Sequence, residues 1–272
     1  MARLRIRWDD DRAAAEAARM IRGYDPVELA LRLERLVQRG TERKYFRFRG
    51  SRFYGGSAVG DVVGCNLRCV FCWTGRPRDD PRVGFFVDAP EAARRLLGIA
   101  RREKHRVLRL SAGEPTVGFD HLLALLDSLA RRVRGEVFVL ETNGIILGYD
   151  YSKARRLAEY SDILHVRVSL KACNESWFTL LTGAAGEYWR LQLRALENLK
   201  KTGVSFHFSI FAAYGSAECW GNVLRLISDR VGEELLDKME VEALVLYPTV
   251  ERRLKAFRSL FDLVPRPDMV YR

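Results

Sequence analysis

The sequence has few of the residues and patterns that would place it outside ordinary globular proteins. Its 272 residues include five cysteines, four histidines and two glutamines, Gln38 and Gln192. No repeat, low-complexity tract or flexible linker interrupts the chain, so we expect one α/β domain with an appendage or two small domains. No apolar run approaches the roughly 20 residues needed to span a bilayer, and the Arg-rich N-terminus lacks a signal-peptide core. These absences predict a soluble, cytoplasmic protein.

Negative charge is also in short supply. The 35 Asp and Glu residues are outnumbered by 46 Lys and Arg, which leaves a net charge of +11. This balance favours an anionic partner, and RNA is the leading candidate. Arginine-rich surfaces also arise from base composition or from adaptation to heat, in which ion pairs gain weight. The scarcity of glutamine weakly favours a heat-adapted source.

From Ser57 onward, short apolar strands alternate with amphipathic helices. Strands that alternate with helices pair in parallel with right-handed crossovers, and six such units make an open, partial version of the eight-unit barrel. In such folds the chemistry lies at the C-terminal ends of the strands. The predicted strands cover residues 58–63, 106–110, 137–140, 163–170, 204–211 and 241–246.

The chain before and after this repeating unit has its own pattern. Residues 1–55 form a predicted extension in which helical periodicity covers residues 9–22. Asp25-Pro26 is typical of an N-cap followed by proline at the first helical position, so a second helix is expected up to Gly40. Residues 56–249 form the predicted barrel, and residues 250–272 a C-terminal helix and tail.

Residues 43–54 interleave basic and aromatic side chains. Such a strip fits a nucleic-acid surface, on which aromatic rings stack and basic groups bind phosphates. It also fits a two-strand hairpin that turns at Gly50-Ser51. In the hairpin, Phe46 and Phe48 would pack inward while Arg47 and Arg49 face solvent. We favour the hairpin, and the two interpretations can coexist.

Three cysteines lie within eight residues, in the spacing Cys-x3-Cys-x2-Cys: Cys65, Cys69 and Cys72. Three thiolates on a short loop can hold three irons of a [4Fe-4S] cluster and leave the fourth iron open. An open metal position marks a reactive site. The alternative is a structural zinc site, which needs a fourth ligand nearby. The four histidines are all distant in sequence: His105, His121, His165 and His207.

With Phe71 before the third cysteine, the spacing resembles the signature of the radical S-adenosylmethionine (radical SAM) enzymes. The resemblance implies an α/β fold, a partial (β/α)6 radical SAM barrel with an N-terminal helical and hairpin extension. It implies that the three cysteines ligate a [4Fe-4S] cluster whose open iron S-adenosylmethionine (SAM) chelates. Reductive cleavage of SAM then yields a 5′-deoxyadenosyl radical that abstracts hydrogen from a substrate. Phe71, with Val70 and Trp73, would shield the cluster and line the adenine.

A second motif follows the second predicted strand. Gly113-Glu114-Pro115 resembles the family's GGEP motif, with Ala112 in place of the first glycine. In the family this segment binds the amino group of SAM. A glycine lets the backbone come close, and a carboxylate suits an ammonium partner.

Later motifs are similar to those of the pyruvate formate-lyase activating enzymes, a group within the superfamily. Thr142-Asn143-Gly144 follows the third predicted strand, as TNG does there. Ser169 and Lys171 match that group's DLK, and by the resemblance they would reach the SAM ribose and carboxylate. A solvated lysine at a strand end is the alternative for Lys171. Leu181-Thr182-Gly183 and residues 196–200 continue the match.

Several departures weaken the assignment to that group. Ser169 replaces its aspartate, and Glu141 replaces the usual aspartate before TNG. Tyr247-Pro248 stands where a PYH motif is typical and lacks the histidine. SAM binding tolerates these changes, but a glycyl-radical partner does not follow from them.

Two cysteines remain, Cys173 and Cys219, which are fewer than an auxiliary cluster normally needs, so a single cluster is expected. Cys173 lies just past Lys171, and we consider both as candidate catalytic residues. Cys173 could deliver a hydrogen atom or bind substrate, although a buried, inert cysteine is more common. His207 could face the cavity and contact the cofactor, or be a core histidine.

Three functions therefore stay open. The first is hydrogen abstraction from a protein, as in the activating enzymes. The second is radical modification of an RNA such as tRNA, which the positive charge favours. The third is a non-enzymatic, basic RNA-binding protein with a structural metal site. The enzymatic functions need an electron donor such as a ferredoxin or flavodoxin, and none needs a membrane.

Overall fold

Thirteen strands, eleven α-helices and five short 3₁₀-helices make up the computed structural model, which describes residues 4–271. The strands are β1 (Leu4–Arg7), β2 (Gln38–Arg39), β3 (Glu42–Ser51), β4 (Ser57–Val62), β5 (Phe85–Asp88), β6 (Val107–Ala112), β7 (Val137–Thr142), β8 (Leu164–Leu170), β9 (Ser205–Phe211), β10 (Glu240–Glu242), β11 (Leu244–Val245), β12 (Phe261–Val264) and β13 (Val270–Tyr271). The helices are α1 (Asp11–Arg19), α2 (Pro26–Val37), α3 (Arg76–Asp79), α4 (Ala89–Glu103), α5 (Phe119–Ala130), α6 (Ile145–Tyr149), α7 (Tyr151–Leu157), α8 (Glu175–Thr182), α9 (Trp189–Thr202), α10 (Ala217–Arg230) and α11 (Pro248–Phe257).

Six parallel strands form the centre of the main sheet in the order β4-β6-β7-β8-β9-β10. Each of these strands therefore lies beside the strand that precedes it and the strand that follows it in the parallel set. The connections between them contain helices, as a fold of six strand–helix units requires. One face of each strand packs under the helices; on β8 the apolar Val166 and Val168 are fully buried. The intervening Arg167 belongs to the opposite, concave face. The predicted α/β partial barrel is confirmed.

The hairpin predicted at residues 43–54 is wrong. Residues 42–51 form one continuous strand, β3, which pairs antiparallel with β4 and β5 and extends the main sheet. Phe46 is 44% exposed rather than packed inward, whereas Phe48 is half-buried against the core and stacks on Tyr45 with ring centroids 4.6 Å apart. Arg47 and Arg49 do not simply face solvent, because both bind Asp61 on β4 at 2.6 and 2.8 Å. Alternation of side chains identified a strand here, but its partner lies beyond Gly50-Ser51, in the barrel itself.

The first two helices begin where their caps place them. The Asp25 carboxylate accepts hydrogen bonds from the backbone N–H groups of Val27 and Glu28 at 2.7 and 3.0 Å, and α2 starts at Pro26 as predicted. Asp10 caps α1 in the same way through the N–H of Ala13. The first helix is therefore shorter than residues 9–22.

The C-terminal segment is more than the predicted helix. α11 ends at Phe257, and Phe261 and Leu263 then bury alternate side chains in β12, which pairs in parallel with β1. After α11, buried side chains recur at every second residue, as in a strand, instead of at the spacing of a helix. The two ends of the described chain are thereby joined beside the barrel. Among the described residues, no helix combines the length and apolarity needed to cross a membrane.

Candidate active site

The loop with Cys65, Cys69 and Cys72 begins directly after β4, at the C-terminal edge of the sheet. All three thiols are free; Cys69 is buried and the others are half-buried. The loop backbone is tied to the end of α8, because Arg68 N–H donates to Thr182 O at 3.1 Å and Val70 N–H to Leu181 O at 2.9 Å. The Leu181-Thr182-Gly183 motif thus supports the cysteine loop.

Each of the three cysteines offers its backbone carbonyl to a different arginine side chain. Charged donors make stronger hydrogen bonds than neutral ones, so the path of this loop is well determined. The donors are Arg68 to Cys65 O, Arg78 to Cys69 O at 2.7 Å, and Arg253 to Cys72 O at 2.6 Å.

A single carboxylate, Asp79 on α3, joins the three arginines. It pairs with Arg78 at 2.8 Å, Arg253 at 2.8 Å and Arg68 at 3.4 Å. Although burial alone would raise the pKa of Asp79, hydrogen bonds from Arg78 and Arg253 lower it below its usual value. We call Arg68, Arg78, Arg253 and Asp79 the arginine clamp. Its members come from the loop, α3 and α11.

The three thiols fit an iron–sulfur cluster better than a single ion. A tetrahedral zinc site with bonds of about 2.3 Å needs sulfur atoms about 3.8 Å apart. The three Sγ atoms of this loop do not all lie within 4.8 Å of one another. Leu67 N–H and the Asn143 side-chain amide lie 3.5 and 4.0 Å from Cys65 Sγ, as donors to a cluster sulfur would.

Burial and neighbouring negative charge oppose ionisation of these thiols. Burial raises the pKa of Cys65 to about 12, and the Glu114 carboxylate adds to the effect. Burial raises the pKa of Cys69 to about 11. Thiolates at these positions therefore require a cationic partner, which is what the irons of a cluster supply.

The end of β6 approaches the cysteine loop more closely than a side chain would permit. A Cβ at Gly113 would lie 2.3 Å from Gly64 O and 2.9 Å from Val62 O. Glu114 N–H donates to Gly64 O at 2.9 Å, and the Thr74 hydroxyl to Ala112 O at 2.9 Å. Ala112 itself has φ +70°, a value that glycine adopts more easily. Residues 112–114 thus join the C-terminal end of β6 to the segment that follows β4.

The Glu114 carboxylate is buried and turned into the protein. One oxygen accepts from Thr116 N–H at 3.1 Å and from the hydroxyls of Thr116 and Thr142, both at 2.7 Å. The other accepts from Asn143 N–H at 2.8 Å. With four donors engaged, the side chain fastens the end of β7 to that of β6. In this segment Ala112 and Gly113 are half-buried, whereas Glu114 is buried.

Asn143 and Gln192 extend these hydrogen bonds along the strand ends. We call the connected residues the strand-end network: Gly113, Glu114, Thr116, Thr142, Asn143, Ser169, Lys171 and Gln192. The Asn143 amide donates to Asn66 in the cysteine loop at 2.8 Å. Gln192, on α9, donates to Asn143 O at 2.6 Å and Ser169 O at 3.0 Å, and accepts from Lys171 N–H at 3.1 Å. It is fully buried. Sequence reasoning missed Gln192, although its rarity in this chain was a usable signal.

Ser169 and Lys171 lie together at the end of β8. The Lys171 ammonium donates to the Ser169 hydroxyl at 2.5 Å, and that hydroxyl donates to Glu242 at 2.8 Å. Burial alone would raise the pKa of Glu242, but Lys171 and Arg167 hold it at about 2. The pair therefore faces a permanent negative charge on β10.

Phe71 stacks on Phe211, at the end of β9, with ring centroids 3.7 Å apart and planes at 19°. This places an aromatic wall beside the third cysteine. Val70 is half-buried against the core, and Trp73 is 40% exposed. The predicted shielding role of these three residues stays a prediction.

His207 lies deeper in the barrel, four residues before Phe211 and hence about 13 Å along the strand. Its Nδ1 is 2.6 Å from His165 Nε2, and its Nε2 is 3.0 Å from Glu240. Burial and the second imidazole lower the pKa of His165 to about 4. The structure thus places His207 in an imidazole pair on the concave face, away from the strand-end network.

The concave face carries charge throughout. Arg167 pairs with Glu240 and Glu242 at 2.7 and 2.8 Å, and Arg109 with Glu141 at 2.6 Å. The turn before β4 closes the lower end of this interior, since the Tyr54 hydroxyl donates to Glu141 at 2.7 Å.

Cys173 is not a free thiol, which corrects its candidacy as a hydrogen-atom donor. It forms a disulfide with Cys219 at the start of α10. Hydrogen delivery from sulfur requires an S–H group, which the bonded residue lacks. Disulfides are rare in reducing compartments except in hyperthermophiles, so the cytoplasmic location stays a prediction.

Replacing both partners, as Cys173→Ser with Cys219→Ser, is expected to lower the free energy of unfolding by about 4 kcal/mol, because the bond closes a loop of 46 residues. Anaerobic denaturant titration measures this. Wild-type protein treated with a thiol reductant should match the double variant. Equal midpoints for oxidised wild type and variant would contradict the bond.

An open parallel barrel with three free thiols in the loop after β4 fits the class of proteins that hold an iron–sulfur cluster at the edge of the sheet. The family model of the Radical SAM superfamily matches residues 61–227, and the chain belongs to that superfamily. The cofactors of that superfamily, a [4Fe-4S] cluster and SAM, are those of this chain. Its placement with the pyruvate formate-lyase activating enzymes within that superfamily stays a prediction.

Similarity to individual proteins is partial. A 7-carboxy-7-deazaguanine synthase of Methanothermobacter thermautotrophicus is 32% identical over 40% of this chain and 39% of its own length. A probable RNA methyltransferase of Dechloromonas aromatica is 34% identical over 27% of this chain and 20% of its own. The crystal structure of Streptococcus suis SuiB bound to SAM matches with a TM-score of 0.51 and 17% identity, over 69% of this chain and 41% of that one. That likeness shows the fold.

Proposed function

We propose that this chain reductively cleaves SAM on the cysteine loop and uses the 5′-deoxyadenosyl radical to take a hydrogen atom from a polar substrate in the barrel. The observation that carries the proposal is the joining of the cysteine loop to three successive strand ends. Gly113, Glu114 and Asn143 are tied to it directly, and Gln192 connects Asn143 to Ser169 and Lys171. A zinc site without catalysis would need no such continuity.

The residues have separate tasks in this function. Cys65, Cys69 and Cys72 hold the cluster, which when bound supplies the electron that breaks the sulfonium bond. The backbone at residues 112–113 binds the amino group of SAM, and the Lys171 ammonium its carboxylate. Phe71 and Phe211 provide an apolar wall that keeps water from the reactive carbon.

Two substrates are supported by different features. The resemblance to activating enzymes supports hydrogen abstraction from a protein. A cleft of about 360 Å³ supports RNA, because no carboxylate is among its lining residues: Arg94, Leu97, Gly98, Arg101, Arg131, Arg132 and Arg134. Converging guanidinium groups of this kind suit successive phosphates. The cleft lies at the C-terminal ends of α4 and α5, opposite the cysteine loop, so RNA would need to reach around the barrel.

The test is anaerobic incubation of the reconstituted, reduced protein with SAM, in which equal amounts of methionine and 5′-deoxyadenosine are expected. Adding total RNA or total protein from cells that lack this chain should raise the yield with only one of them. Deuterium from the labelled substrate should appear in the 5′-deoxyadenosine. A fully assembled cluster with no SAM cleavage would overturn the proposal.

A further inference from the structure

A groove of about 730 Å³ lies on the outside of the barrel, between α3 and α11. It is lined by four arginines, two aspartates, Thr249 and small residues: Gly75, Arg76, Asp79, Asp80, Pro81, Arg82, Thr249, Arg252, Arg253 and Ala256. None of these residues belongs to the strand-end network. The groove is therefore separate from the residues that are proposed to bind SAM and from the interior of the barrel.

Two members of the arginine clamp, Asp79 and Arg253, line this groove and connect it to the cysteine loop. Arg253 lines the groove and also donates from Nη1 to Cys72 O at 2.6 Å and Thr74 O at 2.5 Å. A single guanidinium group thus separates the groove from the peptide of a predicted cluster ligand. The groove therefore lies next to the cysteine loop, with the Arg253 side chain between them.

The exposed charge of the groove is positive. The side chains of Arg76 and Arg82 are 76% and 86% exposed, whereas Asp80, which pairs with both, is 14% exposed and Asp79 is 39% exposed. With four arginines against two aspartates, the lining has a net charge of +2. Arg82 and Arg76 hold the pKa of Asp80 far below its usual range, so this arrangement keeps its charges at any physiological pH. Arg252 adds a further exposed cation on α11.

We propose that this groove is the docking face for a small acidic electron-carrier protein. The inference rests on the proposed function, which requires one electron per SAM cleaved. The reduced carrier loses that electron, the sulfonium bond breaks, the sulfur leaves as the thioether of methionine, and the 5′-carbon keeps the unpaired electron. Transient redox complexes bury little surface and depend on charge complementarity, which an exposed arginine rim provides.

The test replaces Arg76→Glu together with Arg252→Glu and measures 5′-deoxyadenosine with two reductants. With a reduced, recombinant acidic ferredoxin, the KM for ferredoxin should rise at least about tenfold, because the steering charge is reversed. With dithionite, which needs no docking face, the rate should be within twofold of wild type. Added salt should slow the ferredoxin reaction of wild type far more than that of the variant.

The matched control is Arg155→Glu with Arg194→Glu, two exposed positions on α7 and α9 that change the net charge equally. It should keep the wild-type KM for ferredoxin. An unchanged KM in the groove variant, or an equal rise in the control, would overturn the docking proposal. Absence of cleavage by wild type with dithionite would instead overturn the proposed function. Loss of RNA binding without a change in KM would assign the groove to RNA and overturn the proposal as well.

Discussion

Cys69→Ala is expected to abolish both the cluster and the cleavage of SAM. Cys69 is the buried member of the three, and its carbonyl is held by Arg78 at 2.7 Å. Two remaining thiols cannot anchor three irons. The measurements are iron and sulfide content, visible absorbance, the electron paramagnetic resonance of the reduced protein and 5′-deoxyadenosine yield, all under anaerobic conditions.

A matched control for Cys69→Ala is Cys219→Ala, which also removes one buried cysteine. It breaks the disulfide and leaves the cysteine loop intact, so iron content and spectra should stay at the wild-type level. Reduction-dependent SAM cleavage that persists in Cys69→Ala would contradict the assignment of the loop. A wild-type spectrum in Cys69→Ala would contradict it as well.

The central barrel and the order of its motifs were predictable from sequence because both depend on local pattern. Apolar strands bounded by polar turns give strand positions, and parallel strands bring their C-terminal ends to one edge. Cys65, Gly113, Asn143 and Lys171 follow successive strands, so their proximity needed no knowledge of packing. Gly113 shows the limit of this reasoning: the motif predicts a close backbone approach, but only the structure shows that the approach is to Gly64 O.

Features that depend on distant partners could not be predicted in the same way. β3 alternates as a strand should, but alternation does not say which strand it pairs with. Arg253 is 181 residues from Cys72, and nothing in its own neighbourhood indicates the contact. Cys173 and Cys219 are 46 residues apart, and cysteine number alone does not indicate which cysteines pair. Tertiary geometry decides these cases.

The arginine clamp shows how charge and site are related in this chain. A basic composition predicts anionic partners. Some of the arginines, however, bind groups of the protein itself: the carbonyls of the cysteine loop and the Asp79 carboxylate. Arg43 is similar: it is 1% exposed and donates to Val37 O. The net charge of +11 therefore overstates the cation surface that RNA could contact.

Glu114→Gln is expected to weaken SAM binding and to destabilise the fold together. The glutamine amide has one acceptor oxygen, which can serve the three donors of Thr116 and Thr142, and its NH2 group then opposes the N–H of Asn143. Losing a charged acceptor and leaving a buried N–H unpaired costs about 3 kcal/mol. Denaturant titration gives the stability change, and calorimetry with SAM gives the affinity, which should fall at least tenfold.

The comparison variant is Thr116→Val, which removes one hydroxyl donor and keeps the Glu114 charge. Its free energy of unfolding should fall by about 1.5 kcal/mol, with SAM affinity close to wild type because the Asn143 bond remains. The two variants separate two roles for Glu114. If its carboxylate held the SAM ammonium directly, Glu114→Gln would lose affinity while keeping its stability. Because both Glu114 oxygens accept hydrogen bonds from protein donors, the losses of stability and of SAM affinity should appear together in Glu114→Gln. A Glu114→Gln variant with full stability but weak SAM binding would show that the carboxylate turns toward SAM.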